Sequence, residues 1–377
     1  MMQSKSQKPQ PKLPINARSP IGDVIADPKF LEAGGFLQLP DELELPRRLY
    51  VARESGDQFK SIRIEAAASP LLEAIGESMT GQWDFIYDRV TRQANTGTPD
   101  TNTLTRYVYN TFCIRQIIQN LEERDIPSAR VLLVTAYETP IQELLEFDRV
   151  SKVLAVDLSR KACGVVSAKY ACHTNAAKLH LRLLDYSGLD PQFQEDEIAE
   201  LVGELSADGL GSDVLTRHFA RIGSGQHLIP LDLESDSFDA IHLPFVLGSL
   251  HLTPMTAVIA RYRDTMEAKR IDYEDFIGSQ ALVTKEAQKS VLTVMNHALQ
   301  ETCRILKPGG VVIINLWARP LPDAPGMVRL SDVAVPASAL SDLLDGYQHL
   351  FSGNPQPNLP HTVGHILKCL KIGHKMH

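Results

Sequence analysis

Glu301-Thr-Cys-Arg-Ile-Leu-Lys-Pro-Gly-Gly-Val-Val-Ile313 holds the end of one element, a forced change of direction and the start of another. Residues 291–306 repeat apolar side chains at helical spacing and read as a long amphipathic helix. Lys307-Pro-Gly-Gly310 stops that helix, because proline cannot donate the next amide hydrogen bond and glycine turns the chain without a Cβ penalty. Residues 311–316 then read as a strand that is apolar on both faces. Such a strand must be covered on both sides, which places it inside a parallel sheet.

Working outward from this point, earlier segments repeat the alternation. Residues 238–243 form a strand after the turn formers Glu234-Ser-Asp-Ser237. Further strands are expected at 130–134, 152–156 and 179–184, with helices at 141–147 and 160–174. Strands alternating with helices predict an α/β fold with a doubly wound, mostly parallel sheet.

Three regions divide the chain. Residues 1–20 contain Lys5, Lys8, Lys12 and Arg18, no acid and four prolines, and read as a disordered basic tail. Residues 21–128 are a mixed, mainly helical cap region, with helices expected at 69–79, 83–93 and 104–123 and a loop rich in turn formers at 94–102. Residues 129–377 make the α/β domain, interrupted by insertions at 190–226 and 253–289. The first insertion includes an acidic helix over 196–205, with Ile198, Leu201, Val202 and Leu205 on one face. Insertions beyond strand ends are where substrate lids sit, and surface decoration is the plainer alternative.

Composition narrows the partners. The chain has 377 residues, 44% hydrophobic and 22% charged, with a formal charge of -8. An acidic balance disfavours nucleic acid, which needs a basic face to neutralise phosphates. No run of 18 apolar residues occurs, so no membrane-spanning helix is expected. Five scattered cysteines without a secretory signal read as reduced thiols, hence a cytoplasmic location.

Four stretches together carry a family resemblance: Val153-Leu-Ala-Val-Asp-Leu-Ser159, Leu183-Leu-Asp-Tyr186, Ser237-Phe-Asp-Ala-Ile241 with Phe245-Val-Leu-Gly-Ser-Leu250, and the Glu301–Ile313 stretch quoted first. Over residues 130–316 the chain resembles a class I S-adenosylmethionine-dependent methyltransferase. The resemblance implies a Rossmann-like fold, S-adenosylmethionine as cofactor and a small-molecule or protein acceptor. It implies that Asp157, followed by Leu158, accepts the ribose hydroxyls. It implies that Asp185 meets the adenine amino group and that Tyr186 stacks on the ring. A carboxylate at the second strand end suits a diol because it accepts two hydrogen bonds.

The first turn departs from the family pattern. There an acid and glycines wrap the methionine part of the cofactor. Here Thr135-Ala136-Tyr137-Glu138-Thr139-Pro140 has no glycine. Thr135 and Ala136 would line the cofactor and Glu138 would meet its amino group, while Tyr137 and Pro140 add bulk. An inactive binding or regulatory module, with a protein partner or as a homo-oligomer, is the alternative reading. His242 and His251, near the fourth strand's end, are the candidate bases, since imidazole titrates near neutrality. A packed or solvated histidine is the plainer account of each.

Other chemistries find no support. His361, His365, Cys369, His374 and His377 lack the spacing of a zinc site, so no metal is expected. No Walker lysine follows Gly223-Ser-Gly225, and no Gly-x-Ser-x-Gly elbow is present.

Overall fold

A computed structural model describes residues 61–78, 101–135, 139–205, 209–271, 276, 284–316, 318–321, 324–330, 333–348 and 365–370. The tail at 1–20, the expected helix at 83–93, and Ala136, Tyr137 and Glu138 lie outside them.

In chain order the elements are β1 (Ile64–Glu65), α1 (Pro70–Ser78), α2 (Thr101–Glu123), β2 (Ala129–Val134), α3 (Gln142–Glu146), β3 (Val150–Asp157) and α4 (Arg160–Tyr170). They continue with β4 (Leu179–Leu183), α5 (Pro191–Glu204), α6 (Ser212–Gly223), β5 (Phe238–Pro244), α7 (Thr253–Lys269), α8 (Lys285–Ile305) and β6 (Leu306–Leu316). Last come β7 (Ala318–Pro320), β8 (Met327–Leu330), β9 (Val333–Pro336), α9 (Ala337–Gln348) and β10 (His365–Leu370).

The main sheet runs β1-β4-β3-β2-β5-β6-β10. Every pairing in it is parallel except that of β10 with β6. Helices cover both faces, and the architecture is the Rossmann-like α/β fold that the sequence implies. One face packs Ile114, Ile117 and Leu121 of α2 against Val131, Leu133 and Ile313. The other packs α5, α6, α7 and α8 against Leu132, Leu154, Ile241 and Val312. Each fully buried Leu or Ile contributes roughly 1.5–3 kcal/mol relative to exposure, so these two layers hold the helices against the sheet. No described helix is long and apolar enough to cross a membrane.

The strand at the quoted turn starts earlier than its sequence predicts. Thr284 caps α8 by accepting the Ala287 amide at 3.2 Å, and the helix ends at Ile305. The chain is already extended from Leu306, so Lys307-Pro-Gly-Gly310 lies inside the strand. The β5–β6 register shifts beside it, between Phe238 and Ala240. Gly309 takes a φ of 75°, and a Cβ on Gly310 would meet Leu306 Cδ1 at 2.7 Å. Glycine is required there by the bulge rather than by a free turn.

The family-like residues around this turn are structural staples. Arg304 holds Glu301 and donates to the Leu231 and Leu233 carbonyls at 2.9 and 2.8 Å, which fixes the approach to β5. Buried Asp239 Oδ2 accepts the Arg130 amide and Lys307 Nζ, both at 2.8 Å, and so ties β2, β5 and β6 together at their N-terminal ends. The first insertion supplies α5 and α6, with Ile198, Leu201, Leu215 and Phe219 buried in the core. Buried Glu197 clamps these two helices through His218 and Arg221.

Candidate functional site

The site lies at the C-terminal ends of the parallel strands. From β2 the chain order runs outward through β3 and β4 on one side and through β5 and β6 on the other. Ligands in such sheets bind at this switch point, because the loops there diverge and leave a crevice.

Thr135 closes β2. Its amide donates to the Val156 carbonyl at 2.8 Å, and its φ is 49°. That left-handed conformation costs an L-residue with a Cβ about 1–2 kcal/mol, so the backbone has a glycine-like shape without the glycine. On the other flank of the switch point, Phe245 follows β5 with a φ of 55°, its amide donating to the Asn315 carbonyl at 2.9 Å. Two strained non-glycine residues at neighbouring strand ends fit the clustering of backbone strain at functional sites. Sequence reading missed Phe245, because a residue after Pro244 gives no local sign of a positive φ. Thr139 is buried, and its Oγ1 has no hydrogen-bond partner among the described residues.

Asp157 closes β3. Its Oδ1 accepts the Ser159 amide at 2.8 Å, and Ser159 in turn caps α4 by accepting the Ala162 amide. Asp157 Oδ2 is buried and has no hydrogen-bond partner among the described residues. Burial pushes the carboxyl up to about 7, against the pull of the Ser159 and Leu158 backbone amides. An orphaned carboxylate oxygen is expensive to bury, and it shares that state with Thr139 Oγ1 and the ring nitrogens of His242 and His251. Leu158 is buried beside it, under α1.

Asp185, after β4, has a different environment. Its Oδ1 accepts the Ser187 amide at 2.9 Å, and its Oδ2 accepts Ser187 Oγ at 2.6 Å and Gln194 Nε2 at 2.7 Å. Both oxygens are engaged within the chain, so the carboxylate organises the entry to α5. Burial raises its pKa, and the Ser187 and Gln194 bonds offset part of that. Tyr186 is buried in the core under α8. Thr302 spends its proton on the Ala298 carbonyl, so the Tyr186 hydroxyl donates to Thr302 Oγ1 at 2.9 Å. The ring is thereby held beneath the strand ends.

The two histidines lie on opposite faces of the sheet. His242 pairs in register with Leu133 and Ile313, so it points with them towards α2. There it sits beside Asn315, which accepts from the Cys113 thiol at 2.8 Å and donates to Asn110 at 3.1 Å. His251 follows in the turn Leu250–Leu252, its ring centroid 6.0 Å from that of Phe219 on α6. Both are fully buried, and burial lowers each pKa to about 3. At neutral pH they are uncharged side chains within the packed layers, with no exposed face toward the crevice.

The structure therefore brings Thr135, Asp157, Leu158 and Asp185 to one rim, and places Tyr186, His242 and His251 below it. Among the described residues no cluster of three or more His, Cys, Asp or Glu side chains is arranged for a metal.

No protein-family model matches the chain, and no curated protein matches it. Solved structures give remote similarities. A possible exported protein from Bordetella parapertussis is 11% identical with a TM-score of 0.34, over 68% of this chain and 66% of its own length. A 1,6-didemethyltoxoflavin-N1-methyltransferase from Burkholderia thailandensis, solved with S-adenosylhomocysteine, is 12% identical with a TM-score of 0.33, over 69% of this chain and 78% of its own. The N-methyltransferase NodS from Bradyrhizobium japonicum is 9% identical with a TM-score of 0.31, over 80% of this chain and 99% of its own. At these values the strand order, rather than the comparison, carries the fold assignment.

Proposed function

We propose that the chain is an S-adenosylmethionine-dependent methyltransferase acting on a small molecule or a protein side chain. The observation that supports this most is the unpartnered, buried Oδ2 of Asp157 at the second strand end of a Rossmann-like sheet. A ribose hydroxyl would give that oxygen the bond it lacks and would favour the charged carboxylate. When bound, the cofactor supplies a methyl group on a positively charged sulfonium.

The chain's own part in the reaction is positioning and exclusion of water. Asp157 holds the ribose end, Leu158 gives it an apolar neighbour, and the strained turn at Thr135 sets the path of the chain past the methionine end. Asp185 acts here by holding the β4–α5 connection in place. With His242 and His251 sealed and neutral, the acceptor that fits is one whose attacking atom already carries a free lone pair at neutral pH, such as a weakly basic aromatic nitrogen or a thiolate.

Calorimetry on the full chain tests the reading. S-adenosylhomocysteine is expected to bind the wild type, and Asp157→Ala is expected to weaken it by roughly tenfold to a hundredfold, as for loss of a hydrogen bond to a charged group. The charged carboxylate is the binding form, so affinity should fall as pH drops through about 7. Absence of binding at millimolar ligand sinks the proposal. The glycine-free stretch Thr135–Pro140 supports a second reading, a module that keeps the fold to bind rather than to transfer. Ligand binding without turnover against any aromatic-nitrogen or thiol acceptor would select it.

A further inference from the structure

Asp185 spends its carboxylate on the chain, and one of its partners has a polar atom left over. Gln194 lies near the start of α5, where Asp190 caps the helix by accepting the Phe193 amide at 3.0 Å and Pro191 presets the backbone. The helix entry turns the glutamine back over the end of β4. Its Nε2 donates to two acceptors there, Asp185 Oδ2 at 2.7 Å and the Leu189 carbonyl at 3.0 Å. The whole side chain is buried.

Those two bonds fix which way the amide points. Turned over, its oxygen would face the Leu189 carbonyl, which can only accept, and an oxygen of Asp185 that already takes the Ser187 hydroxyl. Oε1 is therefore held on the other side of the group, where it is buried without a hydrogen-bond partner among the described residues. An amide oxygen in that state is costly until a donor meets it. Its place matters as much as its state. Strands β3 and β4 pair in register up to Asp157 and Leu183, and Asp185 follows directly. A buried carboxylate oxygen and a buried neutral amide oxygen thus stand at the ends of neighbouring strands, both with acceptor capacity to spare.

We propose that Gln194 selects the base of the bound nucleoside: its Oε1 accepts the exocyclic amino group of adenine, the role that the family resemblance gives to Asp185. This rests on the reading of Asp157 as the ribose acceptor. Asp185 is the positioning residue in this arrangement, since it takes the two Ser187 donors and Gln194 Nε2 and so aims the remaining oxygen. A base with a carbonyl in place of the amino group would set two acceptors against each other and leave the buried oxygen unpaired.

Calorimetry on the full chain with S-adenosylhomocysteine and its hypoxanthine counterpart, S-inosylhomocysteine, tests this. The wild type should bind the adenine form about tenfold to a hundredfold more tightly, as for a buried acceptor satisfied in one complex and unpaired in the other. Gln194→Met keeps the length of the side chain and removes the oxygen, so it should bring the two affinities within about threefold of each other. A glutamine with a structural role alone would weaken both ligands alike and leave their ratio unchanged. Asp185→Asn should lower the ratio in the same direction by releasing the Gln194 amide, and it keeps the test open if the methionine variant does not fold. Equal affinities in the wild type, or an unchanged ratio in a folded variant, overturn the role of Gln194 and leave the cofactor reading standing. A wild type that binds neither ligand at millimolar concentration sinks the cofactor reading and this proposal together.

Discussion

Two aspartates of nearly equal burial lie at opposite ends of the sheet. Asp239 is 5% exposed at the N-terminal ends of the strands, and Asp157 is 8% exposed at the C-terminal end of β3. Asp239 is tied into the chain through one oxygen, Oδ2, which takes both the Arg130 amide and the Lys307 ammonium. Asp157 has one oxygen on the Ser159 amide and the other, Oδ2, buried without a partner among the described residues. The same side chain is a staple in one place and an open acceptor in the other. Burial alone does not separate the two: Asp239 is paired with an ammonium and a neighbouring strand's amide, whereas Asp157 Oδ2 is buried without a hydrogen-bond partner among the described residues.

The comparison can be broken in three ways. The largest effect concerns pH. Folded Asp157 binds its proton up to about 7, whereas an unfolded aspartate releases it near the ordinary value of about 3.8. Its stabilising contribution is therefore complete below the unfolded value and is lost as pH rises towards 7, a swing on the order of 4 kcal/mol at most. Ligand-free Asp157→Asn should lack this loss, so the difference in unfolding free energy between variant and wild type should grow in the variant's favour from pH 4 to 8. A pH-independent difference in denaturant titrations would show that the carboxyl is already satisfied.

Asp239→Ala comes next. Removing it leaves the Arg130 amide and Lys307 without their acceptor, and should cost about 3 kcal/mol in chemical denaturation. Binding of S-adenosylhomocysteine by the folded protein should stay within about twofold of wild type, because the site is at the other end of the strands. A large loss of affinity would abolish the division between the two ends. Thr135→Gly is the smallest. It relieves the left-handed strain but frees the unfolded chain, for a net gain of about 0.5 kcal/mol in the same titration. A loss of stability there would show that the threonine side chain holds the turn.

At the N-terminal end the passage through Lys307-Pro-Gly-Gly310 was legible, because proline and glycine act on the chain beside them, whereas the bonds of Asp239 and Arg304 join residues 68 to 109 positions apart. The rim of the site was less legible. Asp157 and Asp185 look alike in the sequence, each at the end of a strand, yet Gln194 folds back from α5 to occupy Asp185 Oδ2 and no described side chain does so for Asp157 Oδ2. His242 sits on a strand buried along its whole length, where alternation does not reveal which face is which. Strand β10 escaped because its partner β6 is far away in sequence and antiparallel, and His365 and Cys369, weighed only as metal ligands, lie on it.

From the sequence alone came the order of strands and helices, the proline–glycine passage into β6 and the acid at the end of β3, because each is written in neighbouring residues whose period and turn chemistry act locally. Only the tertiary structure decided which carboxylate oxygen stays free, which histidines are sealed and that a helix starting at Pro70 rests on Leu158. Those outcomes depend on contacts between segments a hundred or so residues apart, and burial there sets the cost of every unpaired polar atom.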